Sequence, residues 1–253
     1  MLESYLRGRL KKKDILLMTH IVLGYPTFED SYRIVETMVE AGVDLMELQI
    51  PFSEPIADGP VILHANQRSL AAGTTVRQCL DFAQKVTQAF DIPFLFMSYY
   101  NILFKYGLDR FAEAMVGHGL RGAIVPDLPP EEGKDYLEAM EKHNLAPIFI
   151  FSPTTAEERM QYIASFARGF VYCVARKGVT GLDTAFSEQL GHYLSRCRNA
   201  TSLPLALGFG VKDRADVDFL KGKADVAVIG TQTIRLMERE GVGAVGEFIR
   251  GLW

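Results

Sequence analysis

The sequence predicts an α/β protein, a single-domain (β/α)8 TIM barrel with a short extra N-terminal helix, spanning residues 1–253. Three observations predict it. Eight short apolar runs alternate with helical patterns, and parallel strands need such crossovers. The chain has 253 residues, and a barrel of this kind uses about 250 as one unit. The segments after the runs are chemically unusual, whereas those before them are mostly Gly, Asn and charged turns. That asymmetry fits a barrel with function at the C-terminal ends of its strands.

Residues 1–13 read as an amphipathic lead-in helix. Residues 15–23 are a buried-strand pattern, stopped by Gly24-Tyr25-Pro26. A helical period follows over 27–41, with Tyr32, Ile34, Val35, Met38 and Val39 for an inner face and Gly42 to close it. The second strand, 45–50, ends at Pro51. Further strands are predicted at 92–97, 120–125, 146–151, 170–174, 203–207 and 225–229. Helices are predicted at 75–90, 109–117, 131–144, 155–167, 186–198, 214–220 and 243–252. The segments expected at the active end are 51–60, 99–107, 126–130, 175–185, 208–211 and 230–232.

Composition narrows the function. A net charge of −4 without long single-sign blocks argues against a nucleic-acid surface. No apolar run approaches the roughly 18 residues of a membrane span, and no signal peptide is visible. Cys79, Cys173 and Cys197 form no CxxC pair and read as free thiols in a reducing cytoplasm. The five histidines are scattered, which gives no metal-ligand cluster. A Schiff-base enzyme needs a desolvated lysine, and only Lys177 is expected near the active end.

Carboxylate acid/base chemistry is what remains. The second strand carries Glu47 and Gln49, and its loop carries Glu54 and Asp58. A buried charge in a strand is costly without a reason. A salt-bridged strand residue is the bland alternative for Glu47, but the acidic loop weighs towards a working acid, with Asp58 converging on the same cleft. Two carboxylates in different environments divide into a proton carrier and a permanent anion. The glycines of 177–181, 208–211 and 230–231 let backbone amides approach a phosphate, and Thr231 adds a hydroxyl. Tyr172, Phe209, Tyr99 and Tyr100 are candidates to hold a flat substrate, with ordinary packing as the alternative for each.

Residues 47–60, Glu-Leu-Gln-Ile-Pro-Phe-Ser-Glu-Pro-Ile-Ala-Asp-Gly-Pro, closely resemble the signature of the tryptophan synthase alpha subunit family. Residues 125–129, 176–181, 208–211 and 100–107 resemble further family motifs, and the likeness covers nearly the whole chain. The resemblance implies a lyase of tryptophan biosynthesis that cleaves indole-3-glycerol phosphate to indole and glyceraldehyde 3-phosphate. It implies that Glu47 is the general acid/base and that Asp58 bonds the indole N–H. Thr180 would close the sixth loop, Tyr172 and Phe209 would pack on the indole, and Gly181, Gly210, Gly230 and Thr231 would hold the phosphate. The implied partner is a beta subunit in an alpha-beta-beta-alpha complex, met through Glu54 and Asn101. PLP is expected in that partner, with no cofactor in this chain.

The sequence departs from the family pattern inside the site. Gln49 stands where glycine is usual, His20 where a phenylalanine often lines the pocket, and Glu54 where aspartate is usual. Ala175 replaces a common serine, and Thr231-Gln232 replaces Ser-Ala. Gln49 and His20 are expected to crowd the pocket. The alternative reading is therefore a catalytically impaired chain retained as an allosteric activator of the beta subunit.

Overall fold

The protein, seen in a computed structural model, is described over residues 1–175, 184–208 and 210–253, with the side chains of 184–187 outside that description. Eight strands close in sequence order: β1 (Leu16–Val22), β2 (Leu45–Gln49), β3 (Phe94–Met97), β4 (Gly122–Ile124), β5 (Ala146–Phe151), β6 (Val171–Val174), β7 (Leu205–Gly208) and β8 (Val226–Ile229). Every neighbouring pair is parallel, including β1 with β8. The predicted (β/α)8 barrel is the fold.

All seven residues of β1 and all five of β2 are buried, because parallel strands here are covered on both faces. Side chains alternate between two cores, following the two-residue period of a strand. Leu16, Met18, Leu45, Leu95, Ile148 and Val226 fill the barrel interior. Leu17, Met46, Leu48, Phe94 and Phe96 face the surrounding helices. Helix α1 (Leu2–Leu10) closes the N-terminal end by sending Leu2 and Leu6 into the interior cluster. It is tied there by Asp44, fully buried, which bonds Arg9 at 2.6 Å, Lys13 at 2.9 Å and the Leu17 amide at 3.1 Å.

The outer helices follow their local signals. Helix α2 (Phe28–Glu40) starts at Thr27, whose hydroxyl accepts the Asp30 amide, and buries Ile34, Val35 and Met38. Three helices lie where the sequence reads as loop or shows no clear helical period. The first is α3 (Pro60–Ala71), with proline at the position where its missing N–H is harmless. It is followed by α4 (Val76–Ala89), which opens with a full capping box from Thr75 and Gln78. The second is α5 (Tyr100–Tyr106), inside the expected 99–107 loop. Its first amide is bonded by the carboxylate of Asp127 at 2.9 Å and 3.1 Å, a cap from a distant residue that no local pattern reveals. Gly107, at φ +94, turns the chain from α5 into α6 (Leu108–Gly117). The remaining helices are α7 (Lys134–Lys142), preceded by a 3-10 turn at Pro130–Glu132, then α8 (Glu157–Phe166), α9 (Thr184–Ala200) and α10 (Arg214–Leu220). The third unexpected helix is α11 (Thr231–Glu240), starting within the expected 230–232 loop; α12 (Val242–Arg250) ends the fold. Among the described residues no helix is long and apolar enough to cross a membrane.

Candidate active site at the C-terminal mouth of the barrel

Glu47 sits on β2 two residues beyond Leu45 and shares its inward face, so the strand period itself delivers the carboxylate to the barrel mouth. It is 3% exposed. Its Oε1 lies 2.9 Å from His20 Nδ1 and receives the Tyr172 hydroxyl at 3.4 Å. Its Oε2 has no hydrogen-bond partner among the described residues. One oxygen is thus held and the other is free to exchange a proton.

Asp58 comes from the loop after β2. Its Oδ2 accepts Gln49 Nε2 at 2.6 Å and the Tyr99 hydroxyl at 3.2 Å. Tyr99 also accepts the Ala57 amide at 3.1 Å and stacks on Phe52 with ring centroids 4.9 Å apart, so a buried aromatic anchors both ends of this loop. Burial raises the Asp58 pKa above the ordinary carboxylate value; the His20 charge and the bonds from Gln49 and Tyr99 oppose that shift without cancelling it, and Glu47 adds to it. Burial, helped by the charges of Glu47 and Asp58, holds the Tyr172 hydroxyl well above its usual pKa, which keeps it a donor.

Both carboxylates line one cleft of 520 Å³ at the C-terminal ends of the strands. Tyr172, Gly210, Gly230 and Thr231 line it too, as does the N-terminal turn of α11. Gly208 stands beside Tyr172, where an added Cβ would come within 3.1 Å of its hydroxyl. Residues 7–247 match the family model described as tryptophan synthase alpha chain.

The chain belongs to the tryptophan synthase alpha chain family. Membership makes it a lyase of tryptophan biosynthesis. It is 68% identical to the tryptophan synthase alpha chain of Syntrophotalea carbinolica and 65% identical to that of Desulforapulum autotrophicum, each over 100% of both chains. Its structure resembles a chain of Mycobacterium tuberculosis tryptophan synthase with a TM-score of 0.92 at 29% identity, covering 99% of this chain and 96% of that one. The tryptophan synthase alpha subunit of Legionella pneumophila gives a TM-score of 0.89 at 29% identity, covering 99% and 96%. Membership supports the lyase and lends nothing to an impaired activator.

Of the residues expected in this alpha-chain site, Glu47, Asp58, Tyr172, Gly210, Gly230 and Thr231 come together in the cleft. Thr180, Gly181 and Phe209 lie outside the described residues. Glu54 and Asn101 are exposed, away from the cleft lining. Lysine placement differs from expectation: Lys212, four residues past β7, lines the cleft, and so does Arg235 of α11. Arg235 follows Thr231 by one helical turn, a spacing visible only once the helix at 231–240 is recognised. His20 and Gln49 do not simply crowd the pocket, because each hydrogen-bonds one of the two carboxylates.

Proposed function

We propose that residues 1–253 act as one domain that cleaves indole-3-glycerol phosphate to indole and glyceraldehyde 3-phosphate, with Glu47 as acid/base and Asp58 as fixed anion. The observation that carries this is the pairing of two unlike carboxylates in one cleft. Glu47 is buried on a strand with one oxygen free, and Asp58 is strapped to a loop by two donors. Glu47 gives a proton to the indole ring carbon bearing the glycerol chain. It then takes the proton of the chain's hydroxyl as the carbon–carbon bond breaks and the carbonyl forms. Asp58 accepts the indole N–H and stabilises the positive charge that develops on the ring.

The phosphate end is read at Gly210, Gly230 and Thr231, with Gly181 from the sixth loop. The start of the ten-residue helix α11 offers amides and a favourable dipole, and Lys212 and Arg235 add positive charge. Tyr172 and Phe209 would flank the indole, and Thr180 would help cover it.

The partner is a PLP-dependent beta subunit that consumes the indole, in an alpha-beta-beta-alpha complex. Support comes from the loops expected to meet it. Glu54 and Asn101 are exposed there, beside Ile56 at 78% and Phe104 at 66% exposure, apolar groups that a partner would cover. The two proton transfers call for no cofactor in this chain. Three buried free cysteines suit a reducing cytoplasm.

The test is indole release from indole-3-glycerol phosphate, with and without the beta subunit, by wild type and Glu47→Gln. Release that falls by about 10²–10⁴-fold in the variant is expected for a lost acid/base group. Undiminished release by Glu47→Gln would remove Glu47 from the chemistry.

A further inference from the structure

His20 and Glu47 face each other in register across β1 and β2, and both side chains project inward with Met18 and Leu45. Each is 3% exposed. His20 Nδ1 lies 2.9 Å from Glu47 Oε1. One proton lies between the two atoms, on Nδ1 when Glu47 is ionised, because an ionised carboxylate can only accept. The outer atoms of the same two groups, His20 Nε2 and Glu47 Oε2, have no hydrogen-bond partner among the described residues. Both residues line the cleft. The arrangement is a two-member unit, joined on one side and open on the other, on two rigid strands.

We propose that His20 is a positioning residue that shares the working proton of Glu47, so that the acid/base unit of this chain is the Glu47–His20 pair. This rests on the reading of Glu47 as the acid/base group. The proton count stays balanced. The proton between Nδ1 and Oε1 shifts to Glu47, and Glu47 passes one proton to the indole ring carbon. The carbon–carbon bond breaks with its electron pair returning to the ring. The hydroxyl O–H electrons become the carbonyl π bond, and that hydroxyl proton returns to the pair. One proton leaves and one arrives.

The surroundings favour a protonated imidazole. Burial pulls its pKa down, but the hydrogen bond and charge of Glu47, the charge of Asp58 and the Gln49 amide together raise it above the ordinary 6.5. Glu47 comes from β2, Asp58 from the following loop and Tyr172 from β6. On the other side β8 carries only Val226, Ala227, Val228 and Ile229, and Gly230 sits against the His20 Cβ. The packed wall behind His20 brings Tyr25 and Thr233, and Lys212 and Arg235 are the other charged groups lining the cleft.

The deciding measurement is the pH profile of kcat for wild type, His20→Phe and His20→Gln, alongside Glu47→Gln. Wild type should lose activity on the alkaline side as His20 gives up its proton, above the ordinary histidine value of 6.5. In His20→Phe kcat should fall by about 10–100-fold, and the alkaline limb should vanish or move by more than about one pH unit. His20→Gln can still donate to Glu47 but does not titrate, so it should recover part of kcat without restoring the limb. A second readout needs no activity. The His20 signal in histidine-labelled NMR, identified by its loss in His20→Phe, should titrate above 6.5 in wild type and lower by about one pH unit or more in Glu47→Gln. Activity kept by Glu47→Gln would sink the reading of Glu47 itself. An inactive Glu47→Gln, with the alkaline limb intact in His20→Phe or a His20 titration indifferent to Glu47, would overturn the pair alone. If His20→Phe does not fold, His20→Gln identifies the signal and the titration decides.

Discussion

Gln49 Nε2 donates to Asp58 Oδ2 at 2.6 Å, bridging the end of β2 to the loop it launches. Gln49 is fully buried, and its Oε1 has no hydrogen-bond partner among the described residues. A glycine at this position would leave the loop acid to Tyr99 alone. The amide therefore aims Asp58.

Gln49→Gly should loosen that aim while leaving the His20–Glu47 hydrogen bond in place. A misplacement near 1 Å costs about 100-fold in rate, so kcat/KM for indole-3-glycerol phosphate should fall by roughly 10–100-fold. Steady-state kinetics of the cleavage reaction measures it, and an unchanged kcat/KM would show that Tyr99 positions Asp58 unaided.

Asp58→Asn should trade activity for stability. Burial raises the Asp58 pKa in the fold above its value of 3.8 in an unstructured chain. A carboxyl shifted that way stabilises the fold fully only below its unfolded pKa, and the contribution is lost as pH rises through the folded pKa. At neutral pH the charged carboxylate is thus a burden that an uncharged amide of the same shape removes. Thermal unfolding of the variant at pH 7 should therefore move up relative to wild type. The gain should disappear below about pH 4, and indole release should be lost at every pH.

Tyr99→Phe keeps the stack on Phe52 but removes the hydroxyl that bonds Ala57 and Asp58. Denaturant unfolding should show a loss of about 1–2 kcal/mol, as for a buried hydrogen bond broken on one side. KM for the substrate should rise more than kcat falls, because the loop is less well held before binding.

Asp44→Ala acts at the opposite end of the barrel. It strands Arg9, Lys13 and the Leu17 amide around a buried site. Arg9 and Lys13 keep access to water, so the loss is that of bonds to one buried carboxylate, about 1.5–3 kcal/mol, and α1 should detach first and become protease-sensitive near Arg7 and Arg9. At temperatures where the fold persists, kcat for cleavage should match wild type.

Legibility differed between the strands and the connections. Each of the eight strands was visible as an apolar run, since burial on both faces leaves a continuous signal. Helix α5 reads as loop in the sequence because its cap, Asp127, is supplied by the neighbouring segment after β4. Helix α11 is not legible in the sequence because a Gly-Thr start reads equally well as a turn, and Arg235 is hidden with it.

The sequence by itself determined the closed parallel barrel, the family and the two carboxylates at the mouth. Apolar periodicity and the 47–60 motif are local, and local patterns survive in one dimension. What Gln49 and His20 do was decided only by the tertiary structure. As departures from a family pattern they read as obstructions. Strand register sets His20 opposite Glu47, and the returning loop brings Asp58 within reach of Gln49. Those pairings depend on how strands line up and where a loop comes back, and residue identity alone carries neither.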